Sequence, residues 1–248
     1  MMAVIQTHLI RETRNKMALV GPFGAFVRLA TIGSLGVVAC ALLLPGATPP
    51  TILIAALCYA LAAATAGWFL KRDFPHDRLG MCNVVTLSRL MLVSALLVPL
   101  MAGSAPSWAF FILATLALTL DGIDGWLARR QQLVSAYGAR FDVEVDSLLA
   151  LVLALNAAVN AGAGMAIILL GLPRYVFGLA AFALPWLNGP LPERFSRKVV
   201  CVVQLATLIT MQAPGLPAQF AVVLVPVAAL ALIWSFAVDI VHLWRSHP

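Results

Sequence analysis

The sequence predicts an all-α integral membrane protein that crosses the bilayer about eight times. Of its 248 residues, 62% are hydrophobic and 10% are charged, and the mean hydropathy is +0.98. A soluble domain needs a larger polar surface than this composition supplies. The placement of the basic residues is the third observation, because they cluster on one side of the predicted spans.

Long apolar runs define the spans. Each span must cover about 30 Å of hydrocarbon, which takes roughly 20 helical residues. Eight runs approach this length, of which the seventh is the shortest: 24–45, 51–70, 84–101, 108–128, 141–161, 165–187, 198–212 and 219–243.

The distribution of lysine and arginine predicts the orientation. The turns at 46–50, 102–107, 162–164 and 213–218 hold neither residue. If the N-terminus is cytoplasmic, the segments on the inside hold Arg11, Arg14, Lys16, Lys71, Arg72, Arg78, Arg129, Arg130, Arg140, Arg194, Arg197, Lys198 and Arg245. This asymmetry is the positive-inside pattern. We therefore expect both termini to lie in the cytoplasm.

Two regions of unequal character are expected. Residues 1–80 hold a cytoplasmic segment and two spans without a buried acid, which we interpret as accessory helices. Residues 81–248 form the main transmembrane domain, where the chemistry is concentrated. The net charge of +6 is spread between apolar runs, so the chain lacks the compact basic surface that nucleic-acid binding requires.

Acidic residues crowd into one short stretch. Five of the ten lie within 121–146, across the end of the fourth span and the start of the fifth: Asp121, Asp124, Asp142, Glu144 and Asp146. Ionisable groups in membrane helices are costly and are usually functional. Helical spacing puts Asp121 and Asp124 on one face, and Asp142 and Asp146 on one face of the next helix, whereas Glu144 points elsewhere.

Four carboxylates that converge at a helix hairpin need compensating positive charge. Hard divalent cations such as Mg²⁺ and Mn²⁺ prefer oxygen ligands and bridge phosphates. Two such ions can stabilise both the attacking and the leaving oxygen of a phosphoryl transfer. The alternative is that the carboxylates are solvated or paired with Arg129, Arg130 or Arg140.

The full pattern of this stretch is Asp-x2-Asp-Gly-x2-Ala-Arg-x8-Gly-x3-Asp-x3-Asp. Its fixed positions are Asp121, Asp124, Gly125, Ala128, Arg129, Gly138, Asp142 and Asp146. This resembles the signature of the CDP-alcohol phosphotransferase family. The resemblance implies a six-helix transmembrane core preceded here by two extra helices, and a bacterial inner membrane with the active site on its cytoplasmic side. A homodimer is also expected from it.

The resemblance also implies roles. Asp121, Asp124, Asp142 and Asp146 would bind the metal ions, Mg²⁺ or Mn²⁺, and Asp146 would also act as general base. The hydroxyl of an alcohol would attack a CDP-linked lipid such as CDP-diacylglycerol, releasing CMP in phospholipid biosynthesis. Nucleotide contacts are expected from Gly125, Ala128, Arg129, Gly138, Asn83 and Thr86, the last two in a stretch that resembles the family's Asn-x-x-Thr-x-x-Arg, here ending at Arg89.

Acceptor binding is expected from Arg174, Arg197 and Lys198. Arg174 follows Pro173 within the sixth span, and a cation there would suit a phosphate or one of the site aspartates. The acceptor itself stays open among glycerol 3-phosphate, inositol phosphate, serine, choline and phosphatidylglycerol. Asp239 and His242 are three residues apart, and we interpret them as an interfacial helix end rather than a ligand pair.

Two other functions fit a membrane protein with buried carboxylates. An intramembrane, magnesium-dependent prenyltransferase would place its two acidic motifs far apart in sequence, whereas here all four aspartates lie within 26 residues. A cation-coupled transporter would show repeated halves, and no second stretch resembles 121–146. CMP release distinguishes the transferase from both.

Overall fold

The computed structural model of the protein describes residues 21–189, 194–217 and 219–246. Within these ranges it contains no strand. Its α-helices are α1 (Pro22–Leu42), α2 (Pro49–Asp73), α3 (Met81–Ala95), α4 (Leu97–Ala102), α5 (Trp108–Gln131), α6 (Ala136–Asn160), α7 (Ile168–Gly171), α8 (Pro173–Ala183), α9 (Phe195–Thr210) and α10 (Gln219–Ser246). Short 3-10 helices occupy Met165–Ile167 and Pro185–Asn188.

The all-helical membrane fold class is confirmed, but the count of eight spans is not. Among the described residues, five helical stretches are long and apolar enough to cross a membrane: α1, α2, α3 with α4, α5, and α10. A sixth is obtained if the bent pair Met165–Gly171 and Pro173–Ala183 is one span. The cytoplasmic placement of the termini stays a prediction, and Arg11, Arg14 and Lys16 lie outside the described residues.

Three of the predicted spans differ from straight apolar helices. The sixth is broken by a 60° bend between Gly171 and Pro173, because proline cannot donate the hydrogen bond that continues a helix. The seventh is α9, whose 16 residues are fewer than the roughly 20 that cross a bilayer at right angles. The fifth, α6, has 25 residues but carries four charged side chains in its first eleven.

The chain forms two compact units, and the first contains α1, α2, α3 and residues 116–145. Here α1 packs against both α2 and α3. The buried side of α2 follows a four-residue repeat of mostly small side chains, Ala55, Tyr59, Ala63 and Gly67. Small residues at such positions let helices in a membrane approach closely, since packing rather than water exclusion holds them together.

The second unit contains residues 43–47, 96–115 and the described residues from 146 to 246. Amide side chains tie its helices together, because Asn160 donates to the Pro99 carbonyl at 3.0 Å and Gln212 donates to the Leu153 carbonyl at 2.9 Å. Gly171 permits a close approach, since a Cβ there would lie 2.7 Å from that of Ala154. Hydrogen bonds of this kind hold apolar helices in register where packing alone is unspecific.

The turn after α4 shows why a predicted external turn is so short. Gly103 ends the helix in the left-handed conformation, with φ 61°, where other L residues are strained. The Ser104 amide then donates to the Pro99 carbonyl at 3.0 Å. Gly46, in the turn after α1, has φ 80°, so both turns reverse the chain in a few residues.

Candidate metal centre

The acidic stretch forms a helix hairpin, as its sequence predicts. The turn between α5 and α6 closes with the Leu133 amide donating to the Ala128 carbonyl at 3.1 Å. Ser135 then caps α6, because its hydroxyl accepts from the Gly138 amide at 3.1 Å. Such a cap satisfies one of the amides that a helix leaves unpaired at its start. The hairpin thereby sets the register of the carboxylates on α5 and α6.

Contacts from the first residue of α3 and from the segment before it hold this turn in place. The Met81 amide donates to the Gln131 side-chain oxygen at 2.9 Å, and the His76 ring nitrogen donates to the Val134 carbonyl at 3.3 Å. The start of α3 is thus fixed to the hairpin. This positions the polar residues on the first turns of α3 beside the carboxylates.

Three of the four predicted aspartates form a group that could hold a metal ion. One carboxylate oxygen from each of Asp121, Asp142 and Asp146 lies within 4.8 Å of the other two. The compact units divide between Val145 and Asp146, but α6 is continuous there, so Asp146 follows Asp142 by one helical turn. All three residues are partly exposed. An all-carboxylate donor set of this kind fits a hard divalent cation.

A buried arginine connects the carboxylates of this region. Arg89 on α3 is fully buried, and its Nη1 atom lies 2.9 Å from Asp121, 3.0 Å from Asp124 and 2.5 Å from Asp142. Its Nε atom donates to the Ala117 carbonyl at 3.1 Å. A guanidinium is suited to this position because it stays charged and donates in several directions. One cation therefore serves three carboxylates.

Asp124 is more deeply buried than the other aspartates, with 4% of its surface exposed. One of its oxygens accepts from the Thr86 hydroxyl and from Arg89, both at 3.0 Å. The other accepts from the Gly125 amide at 2.7 Å. Asp124 thus faces Thr86 and Arg89, and the group of oxygens described above does not include it.

The residues predicted to contact the nucleotide lie around this network. Asn83 is 2% exposed, and its side-chain NH₂ has no acceptor within the described part of the chain. A Cβ on Gly138 would lie 3.4 Å from the Asn83 oxygen, whereas one on Gly125 would meet only the Arg129 side chain, at 3.6 Å. Ala128 is half-buried and Arg129 is exposed. The space beside Gly125 is therefore open.

The residues predicted for the acceptor belong to the second unit. Arg174 is exposed and is the second residue of α8, directly after the bend. Lys198 is exposed in the first turn of α9, and Arg197 is half-buried beside it. Arg197 forms an ion pair with Asp239, with Nε 3.0 Å from a carboxylate oxygen.

Asp239, which the sequence places at an interfacial helix end, is buried rather than exposed. Asp239 is 6% exposed. Besides the ion pair with Arg197, its carboxylate forms an ion pair with Arg194, whose Nη1 atom lies 3.1 Å from a carboxylate oxygen. A buried carboxylate is retained only where such partners satisfy it. Sequence reasoning also missed the partnership of Arg89, although the spacing Asn83, Thr86, Arg89 puts these residues on one face of α3 and could have indicated it.

Comparison with protein families identifies the family of the chain. The family model of CDP-alcohol phosphatidyltransferases matches residues 79–239, which is more than half of the chain. The chain belongs to the CDP-alcohol phosphatidyltransferase family. It is thus a membrane transferase that acts on CDP-alcohols, in a family that generally uses a divalent metal. The family match begins after α2 and includes all four aspartates. No curated protein and no solved structure matches the chain.

Proposed function

We propose that the protein transfers a phosphatidyl group from a CDP-linked lipid, such as CDP-diacylglycerol, to an alcohol and releases CMP. The observation that supports this most directly is the group of three carboxylate oxygens on α5 and α6, within 4.8 Å of one another. It belongs to a chain whose family acts on CDP-alcohols. Lipid synthesis at the cytoplasmic leaflet would follow from the predicted orientation.

Charge in the site favours cation binding. Four ionised aspartates and Arg89, which pairs with three of them, leave a formal excess of three negative charges. Asp121, Asp142 and Asp146 would hold the divalent ions, and Asp124 would join them from the side of Arg89. When bound, Mg²⁺ or Mn²⁺ supplies positive charge that offsets the diphosphate and the departing CMP.

Asp146 is the proposed general base and therefore the catalytic residue. It takes the proton of the acceptor hydroxyl, whose oxygen forms a bond to the lipid-side phosphorus. The bond from that phosphorus to the bridging oxygen breaks, and the electron pair leaves with CMP. Asp146 suits this task because it is partly exposed and lies one helical turn beyond Asp142.

Nucleotide binding is proposed on the side of Gly125. The space beside this glycine is open, which would let the cytidine nucleotide approach the backbone of α5, with Ala128, Arg129 and Gly138 nearby in the motif. Asn83 would supply its unpaired NH₂ group. Thr86 would act by holding Asp124, to which it donates at 3.0 Å.

Acceptor binding is proposed for Arg174, Arg197 and Lys198. These cations would attract an acceptor that carries a phosphate. The ion pair between Arg197 and Asp239 would fix the direction of that guanidinium. The proposal therefore favours a phosphorylated alcohol over serine or choline.

Turnover of the purified full-length protein tests this function. Labelled CDP-diacylglycerol is supplied with each alcohol in turn, and CMP and the lipid product are followed with Mg²⁺, with Mn²⁺ and with excess chelator. We expect CMP release that requires both an alcohol and a divalent ion. Full turnover in excess chelator would refute the metal mechanism, and consumption of a prenyl diphosphate without CMP release would refute the reaction.

The cytoplasmic position of the site is tested separately. Reporters fused after Lys71 or Arg130 should be cytoplasmic, and one fused within 102–107 should be external. An external reporter after Arg130 would place the hairpin, and with it the aspartates, on the opposite face.

A further inference from the structure

A groove runs along the two helices that precede the family match. It lies between α1 and α2 and has a volume of about 520 Å³. On the α2 side the lining includes the small residues Ala60, Ala64 and Gly67 as well as Trp68, and Phe26 of α1 forms part of the opposite wall. Tyr59 of α2 also lines the groove. Its hydroxyl group packs against Gly33 of α1, where a Cβ would lie only 2.0 Å from the hydroxyl oxygen.

One end of this groove carries a cation. Lys71, in the last turn of α2, lines the groove, with its amine 5.7 Å from the centre of the Phe23 ring. Among the described residues Lys71 has no carboxylate partner, whereas the adjacent Arg72 is paired with Asp73 at 2.8 Å. Aromatic and basic residues at a helix end are typical of the membrane interface. The free charge therefore faces an apolar groove at headgroup level.

The length of the groove matches one leaflet. Eleven residues separate Ala60 from Lys71 on α2, which corresponds to about 16 Å at 1.5 Å per residue. Half of a hydrocarbon core about 30 Å thick is about 15 Å. A chain that enters beside Lys71 would reach the bilayer midplane near Ala60.

From this combination we infer that the groove binds one acyl chain of an anionic phospholipid, whose headgroup phosphate contacts Lys71. The lipid is distinct from the CDP-lipid substrate, because the diphosphate of the substrate belongs at the aspartates. The small side chains leave room for a saturated or kinked hydrocarbon chain, and the lysine supplies the charge selectivity. The distinction from the substrate rests on the proposed function, whereas binding in the groove is independent of turnover.

One pair of aromatic side chains connects the lining of the groove to the helix that carries Asp142 and Asp146. Phe26 packs edge-on against Phe141, with ring centres 6.3 Å apart, and Phe141 directly precedes Asp142. An occupied groove would hold Phe26 in place and thereby support the first turns of α6. A bound lipid is therefore expected to stabilise the hairpin as well as α1 and α2.

Native mass spectrometry of the full-length protein tests the inference. The probes are two dioleoyl lipids, phosphatidylmethanol and phosphatidylcholine, of which the first is anionic and has no hydroxyl that could act as an acceptor. We expect one retained phosphatidylmethanol per chain in preference to phosphatidylcholine. Lys71→Gln should lower that preference about fivefold, the effect of one lysine at a membrane surface. Lys71→Arg should keep it, as should Arg72→Gln, which alters an exposed ion pair instead.

A second pair of variants tests the groove itself. Ala64→Trp fills the groove and should abolish retention, whereas Leu61→Trp adds the same bulk at an exposed position outside it and should have no effect. Retention by Ala64→Trp equal to that of the unmodified protein would overturn the inference, as would an unchanged preference in Lys71→Gln. If the chains instead crosslink to each other through cysteines placed at Ala64, the groove binds a second copy and the inference is wrong.

Discussion

In the first compact unit Arg89 forms ion pairs with three carboxylates, whereas in the second Asp239 forms ion pairs with two arginines. Each cluster surrounds one buried side chain, but the centre of the first is a cation among acids and the centre of the second is an acid among cations. Buried charges persist only where partners or ligands compensate them. We therefore expect the first cluster to respond to added cations and the second to added anions.

Removing the central cation of the first cluster should have the largest effect. Arg89→Gln leaves three carboxylates beside one another without their shared donor, so we expect a loss of about 3 kcal/mol in the free energy of unfolding. Chemical unfolding in a defined detergent measures it. Arg72→Gln breaks an exposed pair and should cost less than about 1 kcal/mol. A similarly small loss for Arg89→Gln would mean that the carboxylates do not depend on Arg89.

The effect of Mg²⁺ on thermal stability tests whether the first cluster binds a metal ion. Mg²⁺ should raise the Tm of the unmodified protein, since ligands that bind only the folded state stabilise it. The rise should disappear in Asp142→Asn and should be larger in Arg89→Gln, where more negative charge is uncompensated. If Mg²⁺ leaves the Tm of every variant unchanged, the first cluster is a structural ion-pair network.

Asp146→Asn separates the proposed base from the ion pairs. The amide cannot accept the hydroxyl proton, so we expect kcat to fall about a hundredfold or more, while binding of the CDP-lipid persists. Glu144→Gln on the same helix is the matched control, because Glu144 is exposed and has no proposed role. Equal losses in both variants would show that charge on α6, rather than a base, is what matters.

Asp239→Asn tests the second cluster. Two arginines lose a charged acceptor, and we expect a cost of about 2 kcal/mol in unfolding free energy. Phosphate, compared with chloride at equal ionic strength, should restore part of this stability by binding the arginines. Asp77→Asn, at an exposed position, should show neither effect. A phosphate response that is absent in Asp239→Asn would argue against an anion site there.

Gly125 and Gly138 provide the smallest and most selective test. An added methyl group at Gly125 meets only the Arg129 side chain at 3.6 Å, whereas at Gly138 it lies 3.2 Å from the Ser135 hydroxyl. Gly125→Ala should therefore keep or slightly raise stability, as alanine favours helices by up to about 1 kcal/mol. Its KM for the CDP-lipid should rise severalfold if the nucleotide lies against α5. An unchanged KM would move the nucleotide elsewhere.

The aspartate hairpin could be predicted from the sequence, because the residues that form it lie within one short stretch of the chain. Spacings of three and four residues decide which side chains share a helix face, and a turn of four residues, 132–135, brings the two faces together. Arg89 could not be paired in the same way. It lies 53 residues before Asp142, and nearer arginines, Arg129, Arg130 and Arg140, compete in any argument from sequence. The structure leaves those three exposed at the helix ends.

The count of eight spans is not confirmed, for a different reason. Hydropathy measures the length of an apolar run, not its continuity, so the run 165–187 was interpreted as one span. Pro173 follows Gly171 by two residues, and together they indicate the observed bend. The burial of Asp239 could not be predicted either, because a position near the end of a hydrophobic run suggests exposure. Its burial depends on Arg194 and Arg197, over 40 residues earlier.

Gly46 and Gly103, which both have a positive φ, differ in the residue types that could replace them. A side chain at Gly103 meets no atom within 4 Å, so the only obstacle is the positive φ, which asparagine tolerates better than other L residues. At Gly46 a Cβ would lie 2.2 Å from that of Ala102 and 2.5 Å from the Ser104 hydroxyl. Related sequences should therefore show occasional asparagine in place of Gly103 and glycine alone in place of Gly46.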